Sequence, residues 1–196
     1  MCYSSKMKNK HSVVRTRELV QQGISRKRIA VLVNEGKLER ISRGLYRSTT
    51  TPLTEQYNLI LAVKAVPKGI LCLLTALRYH GIGTQNPPVI WMGIPRRSRK
   101  PKKDNLPVRF ISFSGNSLTY GVKEIKIDGV TARITDKART VIDIFRYRNK
   151  VGLDVALEAL KDSLRKKLVT REQLRRTAEV MRVLNIMRPY LEAYSA

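Results

Sequence analysis

Between residues 12 and 48 the chain reads SVVRTRELVQQGISRKRIAVLVNEGKLERISRGLYRS, and its hydrophobic period changes partway through. That change constrains the fold more than any other feature. Thr16 reads as an N-cap, because its hydroxyl can accept from the amides of a first helical turn. Leu19 and Val20 supply apolar contacts, and Gly23 ends the helix because glycine tolerates a left-handed C-terminus. Ile24 plugs the turn, and Ser25 caps a second helix over residues 26 to 35 that stops at Gly36. Ile29, Leu32 and Val33 lie at i, i+3 and i+4 and face a core. Arg26, Lys27, Ala30 and Asn34 lie on the other side. After Gly36, Leu38 to Ile41 and Leu45 to Arg47 alternate like strands. Ser42-Arg43-Gly44 forms the tight turn between them. Helix, turn, helix and an arginine-tipped hairpin make the plan of a winged helix-turn-helix, in which the second helix enters a major groove.

The sign of the charge points the same way. The chain of 196 residues carries 39 basic and 15 acidic side chains, a formal net charge of +24. Self-repulsion on that scale destabilises a compact state unless an anion relieves it. The hydrophobic share of 42% is enough for packed cores, which sets the chain apart from a disordered basic tail. The excess gathers in two places: the first 50 residues, and the run Arg96-Arg97-Ser98-Arg99-Lys100-Pro101-Lys102-Lys103. No apolar run approaches the ~20 residues that span a bilayer, and MCYSSKMKNK has no apolar signal core. The expected location is therefore the cytoplasm, with no membrane partner. Lys6, Lys8 and Lys10 in that opening stretch form either a short leading helix or an arm.

Ser48 to Pro52 reads as a linker, since proline suits an extended connection. It divides a winged-helix domain, residues 1–50, from a larger domain, residues 51–196. Two apolar helices follow, TEQYNLILAVKAV and Ile70 to His80, the second carrying Leu71, Leu74 and Leu77. Residues 88–94 and 108–113 read as strands of a hairpin that carries the basic run outward. Residues 122–127 and 130–134 flank Asp128-Gly129, a strong two-residue hairpin turn. The expected sheet has about four strands. The remainder is helical. Thr135 or Asp136 caps one helix, and Leu153, Ala156, Leu157, Leu160 and Leu164 stripe the next. Thr170 with Gln173 forms a capping box, and Pro189 kinks or restarts the last helix. The fold class is α+β: an N-terminal winged helix-turn-helix, then a mixed domain with a small sheet and C-terminal helices.

Cys2 and Cys72 do not make a disulfide framework, and Cys72 reads as a small core hydrophobe. There is no Cys and His cluster at metal-ligand spacing. His11 and His80 stand alone, with no nucleophile in a motif beside either. Asp104, Glu124 and Lys126 are the one set with any likeness to a metal-dependent nuclease, which needs acidic groups converging on a metal. Exposed strands commonly alternate Lys and Glu, so the chain is read as a non-enzyme with no catalytic residue, metal or cofactor.

The DNA contacts are expected from three groups. Arg26 and Lys27 begin the recognition helix and reach guanine, with Ala30 and Asn34 further along and Ser25 donating to a phosphate. Arg40, Ser42, Arg43 and Arg47 form the wing, where phosphate or minor-groove contact is usual. Arg15, Thr16 and Arg17 start the preceding helix. Arg96, Arg97, Arg99, Lys100, Lys102 and Lys103 offer a second basic patch, either a phosphate clamp or a solvated loop.

Four stretches together are familiar: RISRGLYR after the short helix-turn-helix, CLLTALRYHGIGTQNP, the run Asp136 to Thr140, and FRYRNKVGLDVALEAL. Over nearly its full length the chain resembles the AbiEi family, antitoxins of bacterial type IV toxin–antitoxin (abortive infection) systems. The resemblance implies an N-terminal winged helix that represses the operon's own promoter. It also implies a C-terminal domain that opposes a nucleotidyltransferase toxin, typically without an obligatory tight complex. A plain transcription factor without a toxin partner, and a nuclease-like enzyme with a DNA-targeting arm, are the alternatives.

Overall fold

Why the first fifty residues hold together is visible in their sheet. The computed structural model describes residues 13–52, 56–98 and 107–194. Strand β1 (Val13–Arg15) pairs antiparallel with β3 (Leu45–Ser48), which pairs with β2 (Leu38–Ser42), giving the order β1-β3-β2. Between β1 and β2 lie α1 (Thr16–Gln21) and α2 (Arg26–Asn34). Val14, Leu19, Ile24, Ile29, Leu32 and Leu38 are buried together, with Val33 and Tyr46 packed against them. Gly23 and Gly44 adopt φ of +83° and +78°, the left-handed conformation that the helix end and the wing turn each require.

Two local expectations change. Thr16 is the first residue of α1 rather than its cap; the strand runs into the helix, and the Glu18 carboxylate accepts the Arg15 backbone N–H at 2.9 Å. Val20 is 46% exposed, so Leu19 alone supplies the core contact on that turn.

The described chain divides into two compact units. The first runs to Pro67 and includes residues 126–131 at a hairpin tip; the second is the remainder. Helix α3 (Tyr57–Ala65) therefore falls in the first unit, beyond the linker at Ser48 to Pro52, where it packs against β1. Lys64 on α3 is only 8% exposed and its Nζ meets Glu18 Oε2 at 2.7 Å.

Five further strands, in the second unit except for the tip of the β7–β8 hairpin, take the order β6-β5-β4-β8-β7, namely β4 (Ile70–Leu71), β5 (Ile90–Pro95), β6 (Val108–Phe113), β7 (Val122–Ile127) and β8 (Val130–Thr135). The expected helix from Ile70 begins instead with strand β4. Ile70 and Leu71 pair with both β5 and β8, and α4 (Leu73–His80) starts only after Cys72. The expected hairpin of residues 88–94 and 108–113 is also corrected. β5 and β6 run parallel, Ile90 opposite Val108 through Pro95 opposite Phe113. A parallel pair requires a long crossover rather than a hairpin turn. Gly93 leaves room for this pairing: a Cβ there would lie 2.3 Å from the Phe113 ring. The Asp128-Gly129 turn takes positive φ at both residues, as a two-residue hairpin turn requires.

Four of the remaining helices follow: α5 (Lys137–Arg146), α6 (Arg148–Val151), α7 (Leu153–Arg165) and α8 (Arg171–Val180). The last, α9 (Leu184–Ala193), has Pro189 inside it. Asp136, not Thr135, caps α5, accepting from Arg139 N at 2.8 Å. Thr170 and Gln173 form the capping box of α8. The α7 stripe is shorter than expected, since Leu153 is 43% exposed. Cys72 is fully buried, and that burial pushes its thiol well above the usual range. It is a core hydrophobe at the cap of α4.

Candidate nucleic-acid interface

The acidic side chains of the first unit decide which of its basic ones stay available. Glu18, Glu35 and Glu39 are the acids of the first fifty residues, and each is engaged. Glu18 binds Lys64. Glu35 holds Lys37 at 2.8 Å and Arg28 at 3.3 Å. Glu39 holds Arg47, its cross-strand neighbour. Burial opposes the charge on Glu18, but Lys64 and the Arg15 N–H outweigh it and hold the carboxyl below the usual range. Glu35 is likewise lowered, by Lys37 first and then by Arg28.

Arg17, Arg26, Lys27, Arg40 and Arg43 remain. Each is exposed, and among the described residues none forms an ion pair with a carboxylate. They come from the α1 start, the α2 start and the wing, the three groups that the sequence singled out. Arg47, expected as a wing contact, is tied to Glu39. Arg15 is half-buried at the end of β1, and desolvation followed by the neighbouring Arg17 pulls its guanidinium below the ordinary range.

The backbone brings two of these groups together. Thr16 N donates to Gly44 O at 3.0 Å, so the wing turn sits beside the start of α1. Arg17 and Arg43 are the residues adjoining that bond. A Cβ on Gly44 would lie 3.5 Å from Thr16 Oγ1. On α2, Ser25 Oγ accepts from Arg28 N at 3.2 Å, which leaves its hydroxyl hydrogen to donate. Arg26, Lys27, Ala30 and Asn34 are exposed, while Ile29 and Leu32 are buried. Ser42 is half-buried at the bulge of β2.

One candidate escaped the sequence reading. Val31 is 41% exposed and lies at i+4 from Lys27, on the same face as Asn34. Helical spacing alone could have found it. An exposed apolar side chain there is suited to a thymine methyl group.

Of the second basic patch, Arg96 and Arg97 are exposed in a turn in which Ser98 N donates to Pro95 O. Arg99, Lys100, Lys102 and Lys103 lie outside the described residues, as do Cys2, His11, Asp104 and the lysines of the first ten positions. Glu124 and Lys126 are exposed on β7. No group of His, Cys, Asp and Glu that could hold a metal occurs among the described residues.

Residues 8–49 match the model of the family described as transcriptional regulator, AbiEi antitoxin. The AbiEi match covers α1, α2 and the wing; the likeness read across the later segments extends beyond it. The crystal structure of RV2827C protein from Mycobacterium tuberculosis is similar with a TM-score of 0.58 and 14% identity, over 90% of this chain and 69% of that one. At that identity the likeness is one of fold. No curated protein matches the chain. No helix of the described residues is long and apolar enough to cross a membrane.

The run Asp136 to Thr140, one of the four stretches behind the resemblance, is largely architectural. Asp136 caps α5, and Thr140 Oγ1 lies 2.7 Å from Thr135 Oγ1 inside the core. Arg139 is fully buried, donating to Asp143 at 2.8 Å and to the carbonyls of Tyr120 and Ser117. Asp136, Lys137 and Ala138 also line a surface cleft.

Proposed function

We propose that the chain is a DNA-binding repressor of its own promoter and an antitoxin that opposes a nucleotidyltransferase toxin, acting in the cytoplasm. The observation that carries the DNA reading is the pairing pattern of the first unit. Glu18, Glu35 and Glu39 engage Lys64, Lys37, Arg28 and Arg47 and leave Arg17, Arg26, Lys27, Arg40 and Arg43 facing solvent. In this reading Arg26 and Lys27 read base edges from α2, with Ala30, Val31 and Asn34 alongside. Arg17, Arg40 and Arg43 grip phosphates, and Arg96 with Arg97, in the second unit, forms a second phosphate-binding patch. The antitoxin reading rests on the family description over residues 8–49.

Gel shifts with the DNA upstream of its own gene test the first part. Arg26→Ala should cost about 1–3 kcal/mol on that DNA and much less on random duplex. Equal loss on both would refute base reading by Arg26. Neutralising Arg96, Arg97, Arg99 and Lys100 together should weaken binding to both; unchanged binding would leave that run a solvated loop. For the second part, the chain should restore growth of cells expressing a nucleotidyltransferase encoded beside it. Failure to do so, with promoter binding intact, would leave a plain transcription factor.

A further inference from the structure

An open cleft of about 460 Å³ lies wholly within the second unit, and its lining includes none of the residues proposed to contact DNA. Three cations line it from three elements: Lys123 on β7, Lys137 in the first turn of α5, and Arg176 on α8. Among the described residues none of the three forms an ion pair with a carboxylate. His80 stands in the same lining. Burial lowers its proton affinity most, and Lys137 and Lys123 lower it further. His80 itself is committed, its Nε2 donating to Thr135 O at 2.7 Å.

Asp136 is the acid in the lining, and its carboxylate already caps α5. An anion here must therefore be held by side-chain cations rather than by the helix end. Three positive charges against one negative leave two, which matches a phosphate monoester near neutral pH. The rest of the wall is of another kind. Ile125, Ile134 and Leu168 are apolar and Tyr120 is aromatic. The Tyr120 hydroxyl and Thr177 Oγ1 stand 3.5 Å apart as hydrogen-bonding groups beside them. The volume falls in the range of small-molecule sites, ~300–1,000 Å³.

We propose that this cleft binds a nucleoside carrying a terminal phosphate monoester. The phosphate lies between Lys123, Lys137 and Arg176. The base lies against Tyr120 and the isoleucines, and the sugar hydroxyls meet Tyr120 and Thr177. The site is independent of the winged helix, and its ligand is either a free nucleotide or the phosphorylated end of a strand.

Amide chemical shifts of the full chain test this, with AMP, adenosine and inorganic phosphate as probes. AMP should shift residues 120–137 and 168–177 and bind at least tenfold more tightly than either fragment. Lys137→Ala with Arg176→Ala should weaken AMP at least tenfold while the spectrum keeps its dispersion. Should that pair fail to fold, the exposed Lys123→Ala should still weaken AMP severalfold. A 5′-phosphorylated trinucleotide binding more tightly than AMP, and more tightly than its 5′-hydroxyl form, would identify a strand end as the ligand. AMP binding more tightly than that trinucleotide would identify the free nucleotide. Shifts confined to residues 26–47, or unchanged affinity in the folded variants, would overturn the site. Phosphate binding as tightly as AMP would overturn the ligand class.

Discussion

Arg28 and Arg139 occupy the same place in two helices. Each is three residues after an N-cap whose side-chain oxygen accepts its backbone N–H, Ser25 for one and Asp136 for the other. Their side chains go opposite ways. Arg28 lies at the surface of the first unit and pairs with Glu35 at 3.3 Å, its side chain 30% exposed. Arg139 is sealed in the second unit against Asp143, both at most 1% exposed. Burial raises the Asp143 carboxyl and Arg139 pulls it back. The formal charge counts both arginines alike. The carboxylates decide which cations are left over, and among residues 13–50 the exposed ones are Arg17, Arg26, Lys27, Arg40 and Arg43.

Breaking the buried pair should have the largest effect. Arg139→Ala leaves the Asp143 charge uncompensated and should cost about 3–5 kcal/mol in denaturant unfolding. A loss below about 1 kcal/mol would mean that the pair is not sealed as described.

Acid titration sharpens the same contrast. Asp162, its side chain 10% exposed, is pulled down from 3.8 to about 2, by Lys166 first and then by the Gly83 N–H and Arg165. A depressed carboxyl stabilises the fold above its unfolded pKa and loses that stabilisation as pH falls through the folded value. The contribution is about 2 kcal/mol. It should be present above pH ~4 and fade between roughly 4 and 2. Asp162→Ala should remove that limb of the stability curve; an unchanged curve would assign acid unfolding elsewhere.

The smallest stability change belongs to the surface pair. Arg28→Ala should cost less than about 1 kcal/mol, as exposed ion pairs do. Unfolding midpoints of the two arginine variants then measure the contrast directly.

What the sequence made legible was local. Gly23, Ser25 and Gly44 mark their ends and turns through their own backbone needs, and Asp128-Gly129 makes its hairpin without distant help. What it hid depends on remote partners. Val13–Arg15 is a strand because Leu45–Arg47 lies beside it, and Ile70–Leu71 because β5 and β8 flank it. An apolar run as short as that reads equally as helix. The parallel pairing of β5 with β6 was hidden because adjacent strands suggest a hairpin unless the crossover is weighed. At the candidate interface, the cationic residues could be named from the sequence, but which of them Glu35 and Glu39 hold required the fold.

The salt dependence of binding to the chain's own upstream DNA tests the central claim most directly. Neutralising Arg17, Arg26, Lys27, Arg40 and Arg43 to glutamine should flatten the slope of log affinity against log salt by about 0.9 for each phosphate no longer neutralised, roughly 4–5 in all. Neutralising Arg28, Lys37 and Arg47 instead should change it little. Equal flattening by the two sets, or none by the first, would contradict the account.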